Sequence, residues 1–185
     1  MITLALLWIP GPRETLLWSA FVLTAIVIWA DGLDGYFARK LKQATKFGAM
    51  LDIAGDRVVE MAYLIAYAAL GWIPVWIPLL FLVRGTFVDA VRASASEQGF
   101  TAFGEKTMQQ SPLGKFLVAS NFSRFSYAVA KAAAFCLLIA AHTKLGSGNY
   151  IPEAAMFFLY FSVVFCVIRG LPVLIEGRSM ITTHS

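Results

Sequence analysis

Charge is scarce in this 185-residue chain: only 14% of its residues are Asp, Glu, Lys or Arg, and histidine and cysteine occur twice each. A soluble domain of this length needs far more polar surface to cover its core. Both thiols, Cys136 and Cys166, sit inside apolar runs, so they are read as packing residues and no disulfide framework is expected. The histidines offer no catalytic constellation. His142 falls on the side of the membrane away from the polar motifs, and His184 lies next to the C-terminus. No Ser–His–Asp or Cys–His set is visible, which argues against covalent catalysis. Also lacking are a low-complexity tract, an internal repeat, and the basic start and cleavage pattern of a signal peptide. Met1 runs almost directly into Leu4–Ile9, which reads as the second half of a membrane helix whose first half is missing.

What fills the chain is hydrocarbon. Hydrophobic residues make up 59% and the mean hydropathy is +0.71. They come in long blocks: Leu16–Ala30, Met61–Val83, Ala128–Ala141 and Ala154–Ile168. Several approach or exceed the roughly 20 residues a helix needs to cross a bilayer. The expected class is an all-α integral membrane protein, residues 1–185 forming a single domain. The breakers set the expected elements: an apolar stretch over 2–9 ended by Pro10-Gly11-Pro12, and helices over about 14–42, 46–70 and 78–98. A polar loop follows at 99–111, then one long helix over about 112–142 opened by Ser111-Pro112 as N-cap and first-turn proline. After a turn at 146–149, a last helix runs over about 152–175. This makes a bundle of about six transmembrane helices, the first apparently truncated.

The net charge of +4 forms no soluble patch, so a nucleic-acid partner is not expected. The basic residues gather between the apolar blocks. Arg39, Lys40, Lys42 and Lys46 lie in one connection, Arg92, Lys106 and Lys115 in another, and Arg178 in the tail. The opposite connections hold only Arg13 and Lys144. The positive-inside rule places the first group in the cytoplasm, in a multi-pass protein of the cell (inner) membrane.

Two stretches carry the chemistry: Asp31-x-x-Asp34-Gly35-x-x-Ala38-Arg39, then Gly48-x-x-x-Asp52-x-x-x-Asp56. Spacings of three and four put each carboxylate pair on one helical face. A short turn between the helices makes them antiparallel, so the pairs can meet at the cytoplasmic end. A lone intramembrane aspartate reads equally well as a helix-end residue. Four at these spacings do not, because buried like charges must take up protons or bind cations. Oxygen-only ligands favour Mg²⁺ or Mn²⁺ over zinc. Gly35, Ala38 and Gly48 remove bulk and leave room for a diphosphate, and Arg39 is placed to hold a phosphate oxygen. Further cations, Arg84, Arg92, Arg124 and Lys131, lie on the fourth and fifth helices. Arg124, Tyr127 and Lys131 share a face, and a phosphate on an acceptor substrate would suit them. Each cation alone fits snorkelling or a structural ion pair nearly as well.

The two stretches together resemble the signature of the CDP-alcohol phosphotransferase family, with every signature position filled. That resemblance implies a six-helix homodimeric membrane enzyme with a cytoplasm-facing polar cavity. It implies that Asp31, Asp34, Asp52 and Asp56 hold two Mg²⁺ or Mn²⁺ ions against a CDP diphosphate. Asp56 would also take the proton of the attacking hydroxyl, while Gly35, Ala38, Arg39 and Gly48 line the nucleotide site. The expected reaction moves a phosphatidyl group from a CDP-alcohol such as CDP-diacylglycerol to a polyol phosphate, glycerol 3-phosphate or inositol phosphate, and releases CMP. The family's usual opening, with an Asn-x-x-Thr-x-x-Arg pattern in the first helix, is not found before Leu4. The run Asp56-Arg57 with Glu60 lies closer to inositol-phosphate-type members than to phosphatidylglycerophosphate synthases. Competing readings are a UbiA-like prenyltransferase, which wants its aspartate pairs on well-separated helices, and a non-catalytic transporter or metal-binding scaffold.

Overall fold

The computed structural model describes residues 2–40, 46–97, 111 and 114–182. Among them all regular structure is helical: α1 (Ile2–Ala5), α2 (Arg13–Lys40), α3 (Lys46–Ala69), α4 (Trp76–Glu97), a π-helical turn (Lys115–Ala119), α5 (Asn121–Ala141) and α6 (Ile151–Thr182). Among the described residues three segments are long and apolar enough to cross a bilayer: Arg13–Ala30, Phe122–Ala141 and Ile151–Glu176. Large apolar side chains stand exposed along them, among them Val22, Ile26 and Trp29 on α2, Phe122 and Phe125 on α5, and Phe157, Val164 and Ile175 on α6. In water such faces would demand a partner, whereas lipid covers them without one.

The chain gathers into two compact units, Met1–Val75 with Ala132–Leu159, and Trp76–Lys131 with Tyr160–Ser185. In the first, α2 and α3 form an antiparallel hairpin, a consequence of length and one contact. Thr24 lies sixteen residues before the end of α2 and Tyr63 seventeen after the start of α3, yet their hydroxyls are 3.0 Å apart. Helices joined through residues 41–45 that still touch about 25 Å back from the joint must run antiparallel. Tyr63 also bonds Thr3 Oγ1 at 2.8 Å, which ties α1 to the hairpin. Burying three hydroxyls is tolerable because each completes another's hydrogen bonding. The expected break near residue 71 is a Schellman turn: Trp72 N–H donates to Tyr67 O, Gly71 N–H to Ala68 O, and Gly71 takes φ +72°, which its missing Cβ permits. An aromatic column runs on to that end of the unit, Tyr63 stacking on Phe135 (5.1 Å) and Trp72 on His142 (3.9 Å).

The second unit packs α4, the π-turn and α6 around Val88, Ala95, Val118 and Val173. Here the structure corrects two expected elements. The single long helix over 112–142 is instead broken at Ser120, which is extended (φ −67°, ψ 139°). Ser120 Oγ accepts from Ser123 N–H (3.1 Å) and Ser123 Oγ donates to Leu117 O (2.6 Å). These short side chains offer the backbone an alternative to helical bonding, and the chain restarts with Ser120 as N-cap. The last helix continues to Thr182 past the expected end near 175, running through Pro172. Its missing N–H costs one backbone bond, and Val173 and Leu174, packed in the core of this unit, hold the helix on course. The expected cap at Ser111 is present, since its Oγ accepts from Gly114 N–H at 3.0 Å. Pro112 lies outside the described residues. Cys136 and Cys166 are free thiols, half-buried and buried, as the sequence predicts.

Candidate functional site

The carboxylate motif falls on the end of the α2–α3 hairpin next to the joint. Both stretches are continuous helix, so the three- and four-residue spacings do place Asp31 with Asp34, and Asp52 with Asp56, on single helical faces. The side chains at positions 31, 34, 35, 38, 39 and 52 lie outside the described part of the structure. Gly48 and Asp56 are described, and both are exposed.

Their mutual register follows from the backbone. Asp31 comes seven residues after Thr24, and Asp56 seven before Tyr63. In an antiparallel pair both steps lead toward the joint. Seven residues advance about 10 Å and fall about 20° short of two full turns. Positions 31 and 56 are therefore level, on the helical faces that meet at the Thr24–Tyr63 bond. Position 52, eleven residues from Tyr63, returns to within about 20° of the same line, and position 34 flanks it by about 80°. Among the described residues no group of three or more His, Cys, Asp or Glu side chains gathers into a metal site. The register nevertheless suits one, since it stacks carboxylate positions on facing helices with oxygen as the sole ligand type.

One turn past Asp56, the buried Glu60 accepts from Arg57 Nη1 at 3.0 Å. Arg57 thus spends part of its charge within α3, and so does not by itself mark an acceptor site.

The cations of the second unit are placed unevenly. Arg92 Nη1 lies 4.0 Å from Asp89 Oδ1, one turn back on α4. Lys131 Nζ sits 4.6 Å from the Tyr127 ring centroid, a cation–π contact within α5. Arg124 is exposed in the first turn of α5. Arg84 is half-buried on α4, and its Nε is buried with no hydrogen-bond partner among the described residues.

The residue the sequence reading missed is Arg169, in the middle of α6 and only 6% exposed. Its Nη1 donates to Ser123 O (2.9 Å), its Nη2 to Val118 O (3.3 Å), and its guanidinium carbon lies 5.3 Å from the Tyr127 ring centroid. The break at Ser120 leaves the Val118 carbonyl without a helical partner, and Arg169 supplies its donor while adding a second bond to the Ser123 carbonyl in the first turn of α5. Arg84 and Arg124 both lie within electrostatic range of it. Arg169 thus meets α5 at its start, where the N-terminal dipole adds further positive potential. The available signal was the lone basic residue within the apolar run Ala154–Ile175, which is a functional candidate by default.

A CDP-alcohol phosphatidyltransferase family model matches residues 1–168, and the chain belongs to that family. The segment matching Haemophilus influenzae CDP-diacylglycerol–glycerol-3-phosphate 3-phosphatidyltransferase is 39% identical over 88 residues, 44% of this chain and 46% of the relative. A probable phosphatidylglycerophosphate synthase of Mycobacterium tuberculosis is 33% identical over 82 residues, 44% of this chain and 38% of the relative. With these relatives the match spans less than half of their length. A longer one, 29% identical over 150 residues, covers 74% of this chain and 76% of the Pseudomonas fluorescens CDP-diacylglycerol–glycerol-3-phosphate 3-phosphatidyltransferase. No solved structure matches significantly.

Proposed function

We propose that this chain is an integral-membrane phosphatidyltransferase that moves a phosphatidyl group from CDP-diacylglycerol to a hydroxyl of glycerol 3-phosphate, releasing CMP. The observation that carries the reading is the register of the α2–α3 hairpin, which brings positions 31 and 56 level on facing helices two turns beyond the Thr24–Tyr63 bond. Asp31, Asp34, Asp52 and Asp56 are the residues that would hold two divalent cations, Mg²⁺ or Mn²⁺. Such ions, when bound, neutralise a diphosphate and stabilise the departing nucleotide. Gly35, Ala38 and Gly48 leave room for the nucleotide, and Arg39 binds a phosphate oxygen. Asp56 accepts the proton of the acceptor hydroxyl as its oxygen bonds to phosphorus and the bond to CMP breaks. No side chain becomes covalently attached.

Glycerol 3-phosphate is preferred over inositol phosphate as acceptor because the relatives above carry it in their names. Arg84, Arg124 and Arg169 would bind its phosphate. Arg169 uses two of its five N–H donors on backbone carbonyls, and that anchoring holds a guanidinium in place before substrate arrives. Arg92 and Lys131, engaged by Asp89 and Tyr127, are assigned outer roles. The reading extends to a single membrane domain over 1–185, with α3 and α4 crossing as well in a six-helix bundle, a homodimer, and a site facing the cytoplasm. The family match leaves the prenyltransferase reading unsupported.

The deciding experiment is CMP release from CDP-diacylglycerol in detergent micelles, screened over glycerol 3-phosphate, inositol phosphate and serine, with EDTA as control. Metal-dependent release only with glycerol 3-phosphate is expected. Donor binding with no CMP release for any acceptor would point instead to the non-catalytic scaffold.

A further inference from the structure

Arg84 reaches α6 at a place where that helix has no side chain. A Cβ built on the buried Gly170 would lie 2.8 Å from Arg84 Nε, 2.9 Å from Cγ and 3.4 Å from Cδ. The stem of Arg84 therefore lies flat on the backbone of α6, immediately beside Arg169. No hydrogen bond to a described residue orients Nε, and its position against the bare backbone at Gly170 is a steric one. It is held within electrostatic range of the Arg169 cation, an arrangement that repels unless an anion lies between them.

We propose that Gly170 is a positioning residue for the acceptor phosphate: its missing side chain lets Arg84 lie across α6 and present its guanidinium next to that of Arg169. The inference rests on the phosphatidyltransferase reading and deepens it. The three atoms nearest a methyl group at 170 all belong to Arg84, so that side chain must swing away and its guanidinium is displaced.

The test is a double-mutant cycle with Gly170→Ala, Arg84→Ala and the pair, read by acceptor KM, donor KM, kcat and the thermal shift produced by inorganic phosphate. Gly170→Ala is expected to raise the glycerol 3-phosphate KM about tenfold, leave kcat and donor KM within about twofold, and weaken phosphate binding to match. In the Arg84→Ala background it should add less than about twofold, because the group it displaces is already gone. Fully additive effects, or parallel losses toward donor and acceptor, would overturn the proposal. Should Gly170→Ala fail to fold, adding Arg84→Ala removes all three crowded atoms and must restore folding; failure to restore it also overturns the proposal. A wild-type protein that releases no CMP refutes the phosphatidyltransferase reading, while the phosphate arm still decides the role of Gly170.

Discussion

Replacing Arg169 by methionine tests the account of the broken helix most directly. Methionine fills much of the same volume without a donor, so Val118 O and Ser123 O lose the bonds now made at 3.3 and 2.9 Å. An unsatisfied buried polar group costs about 1–3 kcal/mol. Val118 O is left in that state while Ser123 O keeps its bond within α5, so with the relief of no longer burying a cation the net loss is about 1–2 kcal/mol. For a chain of this size each kcal/mol lowers Tm by about 2–4 °C, so a fall of about 2–8 °C is expected. Tryptophan fluorescence during thermal unfolding in a mild detergent measures it. Arg169→Lys, able to reach one carbonyl well, should lose about half as much. Arg124→Ala, at an exposed position in the first turn of α5, should weaken the binding of glycerol 3-phosphate. An Arg169→Met protein that melts with wild type would show that something else satisfies the carbonyls at the break, and the reasoning would fail.

Other outcomes follow from the hairpin and its turn. Asp56→Asn should cut turnover by about 10²–10⁴-fold while keeping metal-dependent binding of CDP-diacylglycerol; near-native turnover would remove Asp56 as the base. Chelation should abolish CMP release, and added Mg²⁺ or Mn²⁺ restore it, with Asp31→Asn raising the metal concentration required. Tyr63→Phe removes the hydroxyl shared with Thr3 and Thr24 and should cost about 1–2 kcal/mol in unfolding experiments; no loss would deny that bond its part in fixing the register. Gly71→Ala must hold an L-residue at φ +72° and should destabilise by about 1–2 kcal/mol, measured the same way.

Much of the protein was legible one residue at a time. Long apolar runs specify helices for a bilayer because no other segment of a chain satisfies its own backbone in hydrocarbon. Gly71 marks a turn because a positive φ favours glycine. The aspartate spacings fix faces because a helix turns about 100° per residue. What the sequence could not supply was anything set by a contact between distant positions. The level of Asp31 against Asp56 depends on Thr24 meeting Tyr63, thirty-nine residues away. The break at Ser120 is stabilised by Arg169, which lies on another helix, and local propensity alone reads straight through it into one long element. The path of Arg84 across α6 exists only because that helix presents glycine at the crossing point. Periodicity is a local property of the chain, whereas the pairing of carbonyls, hydroxyls and guanidinium groups buried away from water is decided by whichever partners the folded chain brings within about 3 Å.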